Sequence, residues 1–185
     1  MTAAPSTRDR LIGAATAEFE ERGFGGTDTN RIARRAGFAP QTFYRWFKDK
    51  TAIFLAVYRA WEDAEYDTVS ALLAGGAGDA AIASAVIAHH RAYRVFRRSL
   101  RTLSVEQDEV RRARAETRLR QAEQIRLWAG PDAPPRETIA VNLLVLERLS
   151  DAVAEGEFAD MGLSDAEAVQ RLAQVVGECR VAGSG

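Results

Sequence analysis

The chain has 185 residues, of which 46% are hydrophobic and 28% charged, and it carries a net charge of −1. This balance excludes a disordered chain and one that coats nucleic acid along its whole length; the length suits a small recognition module plus a larger body, or one domain of ordinary size. Residues 1–58 hold nine Lys/Arg against six Asp/Glu and the remainder sixteen against twenty, so an anionic partner is expected at the N-terminal end.

Helix is expected throughout, because alanine, arginine and glutamate dominate and no alternating β-branched stretch occurs. A first helix runs from Thr7 to Glu21 with Leu11, Ala15 and Phe19 at four-residue steps beside Ile12, and Gly23 ends it. A second starts at Thr27 or Asp28, either of which can cap it, and carries Ile32 and Ala33 inward to Ala36, where Gly37 supplies a left-handed stop. Pro40 suits the first turn of a third helix that turns Phe43 and Phe47 inward, and Asp49 can cap a fourth. That fourth helix extends from about Lys50 to Leu73, with Ile53, Val57 and Trp61 on one side, until Gly75, Gly76 and Gly78 break it.

A fifth helix begins at Asp79, and Ile82, Val86, His89, Tyr93 and Phe96 share one of its faces. Ser104 with Gln107 reads as a capping box that opens a charged helix to Trp128, closed by Gly130 and Pro131. Pro135 then opens a segment whose Ile139, Leu143, Leu144, Leu146, Leu149 and Val153 form too wide an apolar surface for one solvated face. Ser164 with Glu167 is a second capping box, followed by a stripe of Val169, Leu172, Val176 and Cys179. The single cysteine, Cys179, can form no internal disulfide and is expected to be a buried structural thiol. The chain lacks a run of roughly eighteen apolar residues and a secretory signal pattern, so it is expected to be cytoplasmic with no membrane partner.

Helix, glycine-containing turn and short polar helix is the layout that places a recognition helix in the DNA major groove. With Phe43 and Phe47 inward, the outer surface of the third helix presents Pro40, Gln41, Tyr44 and Arg45, with Thr42 and Lys48 at its edges. Gln41 can pair with an adenine edge and Arg45 with guanine, while Pro40 and Thr42 can touch a thymine methyl. Tyr44, Trp46, Lys48 and Lys50 suit backbone phosphates, which fix register without reading sequence.

The run IARRAGFAPQTFYRWFKDKTAIFLAVY with the preceding AATAEFEERGFGGTDT, roughly Arg10 to Tyr58, resembles the TetR family of transcriptional regulators, through Ile32, Ala33, Ala36, Gly37, Thr42, Tyr44, Phe47 and Lys50. The resemblance implies an all-α fold: a helix-turn-helix module over residues 1–50, then a helical effector-binding and dimerisation domain over 51–185. It implies a homodimeric repressor that binds double-stranded operator DNA and is released by a small molecule. It also brings in Thr27, Thr29 and Asn30, around the start of the second helix, and Ala39 as DNA-contact candidates. The chain departs from the family pattern at Ala39, where serine is frequent; at Gln41, where a small residue is common; and at Asn30, where some relatives carry a base-reading arginine.

Tyr58, Trp61, Tyr93, Phe96 and Trp128 are many large aromatics for a small helical body, and they form either an effector cavity or plain core. His89 and His90 would give such a cavity its polarity, and the effector is expected to be mostly apolar. No Ser, Cys or carboxylate stands beside them at a spacing that suggests a nucleophile and base, so neither catalysis nor a cofactor or metal is expected. Arg111, Arg112, Arg114, Arg118 and Arg120 interleave with Glu109, Glu116 and Glu123, as on a solvated helix face. The surplus apolar surface of the last two helices, about Arg136 to Glu155 and Asp165 to Val181, points to a two-fold four-helix interface through Leu143, Leu146, Leu149, Val153, Val169, Leu172 and Val176.

Overall fold

A computed structural model of the chain describes residues 4–180, with the side chain of Asp132 left out; Val181, the expected end of the last helix, lies outside the described residues. Ten α-helices occur among the described residues: α1 Thr7–Arg22, α2 Thr29–Arg35, α3 Pro40–Tyr44, α4 Lys50–Ala74, α5 Asp79–Ala92, α6 Arg94–Glu106, α7 Asp108–Ala129, α8 Arg136–Glu155, α9 Glu157–Asp160 and α10 Ala166–Arg180. The fold is all-α, and no strand occurs among these residues.

The chain divides into two compact units. One comprises the chain up to Ala64 together with Val95–Val110, and the other comprises Glu65–Arg94 and everything from Arg111 onward. The unit that holds the N-terminal helices therefore reaches beyond residue 50, because α6 completes its core. Phe54 packs on Phe96 at 4.8 Å between ring centroids and on Phe19 at 5.1 Å. Phe24 closes the cluster at 5.3 Å from Phe54. Phe19, Phe54, Phe96, Leu11, Ile32, Phe43 and Leu100 are fully buried, and each such side chain contributes about 1.5 to 3 kcal/mol of burial energy.

The single long face expected from Ile82 to Phe96 is broken. α5 ends at Ala92 with Tyr93 as its C-cap, and α6 begins at Arg94 with its first amides capped from elsewhere: the Glu20 carboxylate accepts hydrogen bonds from the amides of Val95 (3.3 Å) and Phe96 (3.1 Å). Ser104 does not open a helix either. It lies inside α6, its hydroxyl donates to the Arg101 carbonyl at 2.8 Å, and α7 starts at Asp108.

In the second unit, α5, α8 and α10 pack around Ile82, Ala83, Ile87, Val153, Ala168, Leu172 and Val176. The Ser164 hydroxyl accepts from the Ala166 amide at 3.1 Å, at the start of α10. A short helix not expected from the sequence, α9, follows the left-handed Gly156. Glu147 of α8 binds Arg114 and Arg118 of α7, holding the charged helix to its neighbour. Cys179 is buried, and loss of solvation raises its thiol pKa.

Candidate nucleic-acid interface

Local chemistry builds the helix-turn-helix. Asp28 caps α2 by accepting from the Arg31 amide at 2.8 Å, and that bond holds its carboxyl below the ordinary aspartate range. After α2 the chain reverses through Gly37 at φ +78°, with Phe38 N–H bonded to the Ala33 carbonyl at 2.9 Å. Ala39 gives α3 no side-chain cap, and Pro40 occupies the first turn, where its missing N–H costs nothing. Phe43 and Phe47 are buried with their rings 5.8 Å apart, which fixes the rotation of α3.

That rotation leaves Gln41, Tyr44, Arg45 and Trp46 exposed, with Thr42 and Pro40 half-buried and Ala39 and Asn30 exposed. Tyr44 and Thr29 meet hydroxyl to hydroxyl at 3.0 Å, tying the start of α2 to the recognition helix. Thr27 is placed differently from expectation. It is buried, its hydroxyl donates to Glu18 at 2.9 Å, and its side chain is unavailable to DNA.

Lys50 also has another task. Its ammonium donates to the carbonyls of Phe24 (2.7 Å) and Thr27 (2.9 Å) and sits 4.2 Å from the Phe24 ring centroid. Burial lowers its pKa. Lys50 thus pins the loop between α1 and α2 with two of its three ammonium donors. Lys48 is exposed but faces Glu109 at 3.2 Å and Asp49 at 3.9 Å.

Sequence reasoning overlooked the residues that set the module's charge. The buried carboxylate of Glu18 draws Arg35 (3.0 Å), Arg22 (3.4 Å) and Arg31 (3.9 Å), and Arg35 also pairs with Glu21. Those contacts raise the pKa of Arg35 and lower that of Glu21. Arg10 reaches across to the α2 terminus, where it donates to the Ala36 carbonyl at 2.9 Å and lies 4.5 Å from the Phe38 ring centroid. The four-residue step from Glu18 to Arg22 was visible in the sequence; the other partners come from separate helices.

Residues 11–57 match the model of the tetR family of bacterial regulatory proteins. The N-terminal module is thus similar to that of the TetR family. A Bacillus subtilis relative, the uncharacterized HTH-type transcriptional regulator YdgC, is 44% identical over 48 residues, 26% of this chain and 25% of that protein. The match thus spans about a quarter of the relative's length. Solved structures share the fold across nearly the whole chain. A Rhodococcus protein assigned to TetR-family regulators has TM-score 0.72 and 19% identity, covering 95% of this chain and 98% of its own. The fatty acid degradation regulator FadR from Bacillus halodurans has TM-score 0.60 and 15% identity, covering 95% and 96%. The sequence signature of the TetR family therefore resides in the module, while beyond it only the helical architecture is shared.

The expected effector residues fall into two groups. Tyr58, Trp61 and Phe96 are buried in the unit of the TetR module, where Tyr58 and Trp61 stack at 6.4 Å and Arg97 lies 4.5 Å from the Trp61 ring centroid. His89, His90, Tyr93 and Trp128 belong to the other unit. There His89 meets Tyr93 at 5.2 Å, and exposed Trp128 stacks on Tyr66 at 5.2 Å. His90 is buried, with Nδ1 2.8 Å from Asp151 and Nε2 3.3 Å from Glu65.

The expected dimer residues need a correction. Val153, Leu172 and Val176 are core of their own chain, and Leu146, Leu149 and Val169 pack against that core. Leu143 is half-buried. The uncovered apolar surface of α8 is instead the stripe of Val141, Leu144 and Val145, which with Phe158 and Met161 lines a depression of about 540 Å³.

Proposed function

We propose that the chain is a sequence-specific DNA-binding regulator of transcription, acting as a homodimer and releasing a palindromic operator when a small, mostly apolar effector binds. The observation that supports this most directly is the rotation of α3: two buried phenylalanines aim Gln41, Tyr44 and Arg45 outward together. Gln41 and Arg45 have the donor and acceptor patterns that read base edges, and Tyr44, steadied by Thr29, suits a phosphate. Functionally the chain divides into a DNA-reading part, residues 1–50, and an effector and dimer part, residues 51–185. Among the described residues no cluster suited to a metal ion and no helix long and apolar enough to cross a membrane is present.

The dimer is formed through the exposed stripe of α8 and the adjoining α9. This face carries Val141 and Leu144, 58% and 48% exposed, beside the half-buried Val145, and a second copy would cover such an apolar stripe. A two-fold axis there makes the recognition helices symmetry mates, which requires half-sites about one helical turn, ~34 Å, or a multiple of it apart. Selection from random duplex DNA tests the reading. The expected product is an inverted repeat, and Gln41→Ala relaxes preference at one position per half-site at a cost of about 1 to 3 kcal/mol. Recovery of no enriched sequence, or of single asymmetric half-sites, would sink it.

A further inference from the structure

The basic residues around the recognition helix sort by whether the protein already neutralises them. Arg22, Arg31 and Arg35 surround Glu18, Lys48 faces Glu109, and Lys50 is bound to two carbonyls. Arg8 and Arg10, in the first turn of α1, differ: both are exposed, and among the described residues neither pairs with a carboxylate. Asp9, between them in sequence, is turned back into the α1 cap, where it accepts from the Ser6 amide at 3.2 Å and the Ser6 hydroxyl at 2.7 Å.

Aromatic rings hold the two guanidinium groups at opposite ends of the recognition helix. Arg10 lies over Phe38, the residue of the turn just before α3, and bonds the Ala36 carbonyl beside it. Arg8 lies 5.5 Å from the ring centroid of Phe47, just beyond α3 and packed on Phe43. A guanidinium resting on a ring directs its donors outward in the plane, and beyond the one Arg10 N–H that bonds Ala36 the remaining donors suit a phosphate. We propose that Arg8 and Arg10 are backbone-phosphate contacts that bracket the recognition helix, one at each end. This assignment rests on the DNA-binding reading above. It moves the phosphate-binding charge from Lys50 to the start of α1.

The test is fluorescence anisotropy with two labelled duplexes, the sequence recovered by selection and a scrambled version of it, over a range of salt. Arg8→Gln and Arg10→Gln are each expected to lower the slope of log affinity against log salt by about one unit per half-site. Each weakens both duplexes by the same factor, leaving the preference for the selected sequence unchanged. Arg22→Gln, whose guanidinium already faces Glu18, leaves the slope as it is. Because Arg10 also braces the turn, Arg10→Lys is measured beside it, and restoration of the slope marks the charge as the active feature. A loss that lysine does not restore overturns the assignment for Arg10, and a changed sequence preference overturns a phosphate role for whichever residue shows it. Unchanged slopes in a protein that binds the selected duplex overturn the proposal alone, whereas a wild-type chain that binds no duplex at low salt removes the DNA-binding reading with it.

Discussion

Replacing Lys50 with methionine keeps the length of the side chain and removes its charge, which separates a structural pin from a DNA contact. The ammonium donates to the carbonyls of Phe24 and Thr27 at 2.7 and 2.9 Å and rests on the Phe24 ring. Hydrogen bonds from a charged group are worth about 1.5 to 3 kcal/mol each, and the ring contact about 0.5 to 1. Against this stands the cost of partial burial, which lowers the lysine pKa, together with the packing that methionine regains. The net loss is about 2 to 3 kcal/mol. In a domain of 60 to 100 residues that corresponds to roughly 8 to 24 °C in midpoint at about 4 to 8 °C per kcal/mol. Thermal unfolding by circular dichroism measures the loss, and DNA titration below the new midpoint measures the salt slope. The expected variant melts early and keeps its slope. One that melts like the parent while losing about one unit of slope per half-site would refute the pin and return Lys50 to the phosphates.

Asp28→Ala should cost about 1 kcal/mol by uncapping α2. Since the folded carboxyl titrates below its ordinary value of 3.8, the cap's contribution is present above that pH and is lost as pH falls through the lower folded value; an acid titration of stability in parent and variant should converge there. Leu144→Glu should dissociate the dimer while leaving the fold intact, whereas Leu172→Ala, at a fully buried position, should cost about 2 to 5 kcal/mol of stability. Light scattering with circular dichroism separates the two, and a Leu144→Glu protein that remains dimeric would place the interface elsewhere. Burial raises the Cys179 pKa, so stability is full below the ordinary thiol value and declines at alkaline pH as the unfolded thiol ionises; a thiol reagent at neutral pH should modify Cys179 only on unfolding.

The recognition module was legible because its determinants are local. Gly37 and Pro40 punctuate the turn, Asp28 caps from three residues away, and the four-residue spacing of Phe43 and Phe47 sets which side of α3 faces outward. Nothing comparable marks the break between α5 and α6. No glycine or proline lies near Tyr93, and the amides that open α6 are capped by Glu20, 75 and 76 positions earlier. A periodic pattern therefore ran on through a real boundary and joined Phe96 to a face that ends with α5.

The same division separates the kind of residue at the site from its employment. Sequence alone established helix, module and an outward set of Gln41, Tyr44 and Arg45, because side-chain periodicity and turn chemistry act over a few residues. Only the tertiary structure decided which cations were already neutralised, since Glu18, Glu109 and the carbonyls of Phe24 and Thr27 come to their partners from other elements. It likewise decided which leucines stay dry. α8 is apolar around much of its circumference, and the choice between Leu146 packed against the core and Leu144 on the surface follows from how α5 and α10 fill one side of it, a packing choice that no local pattern encodes.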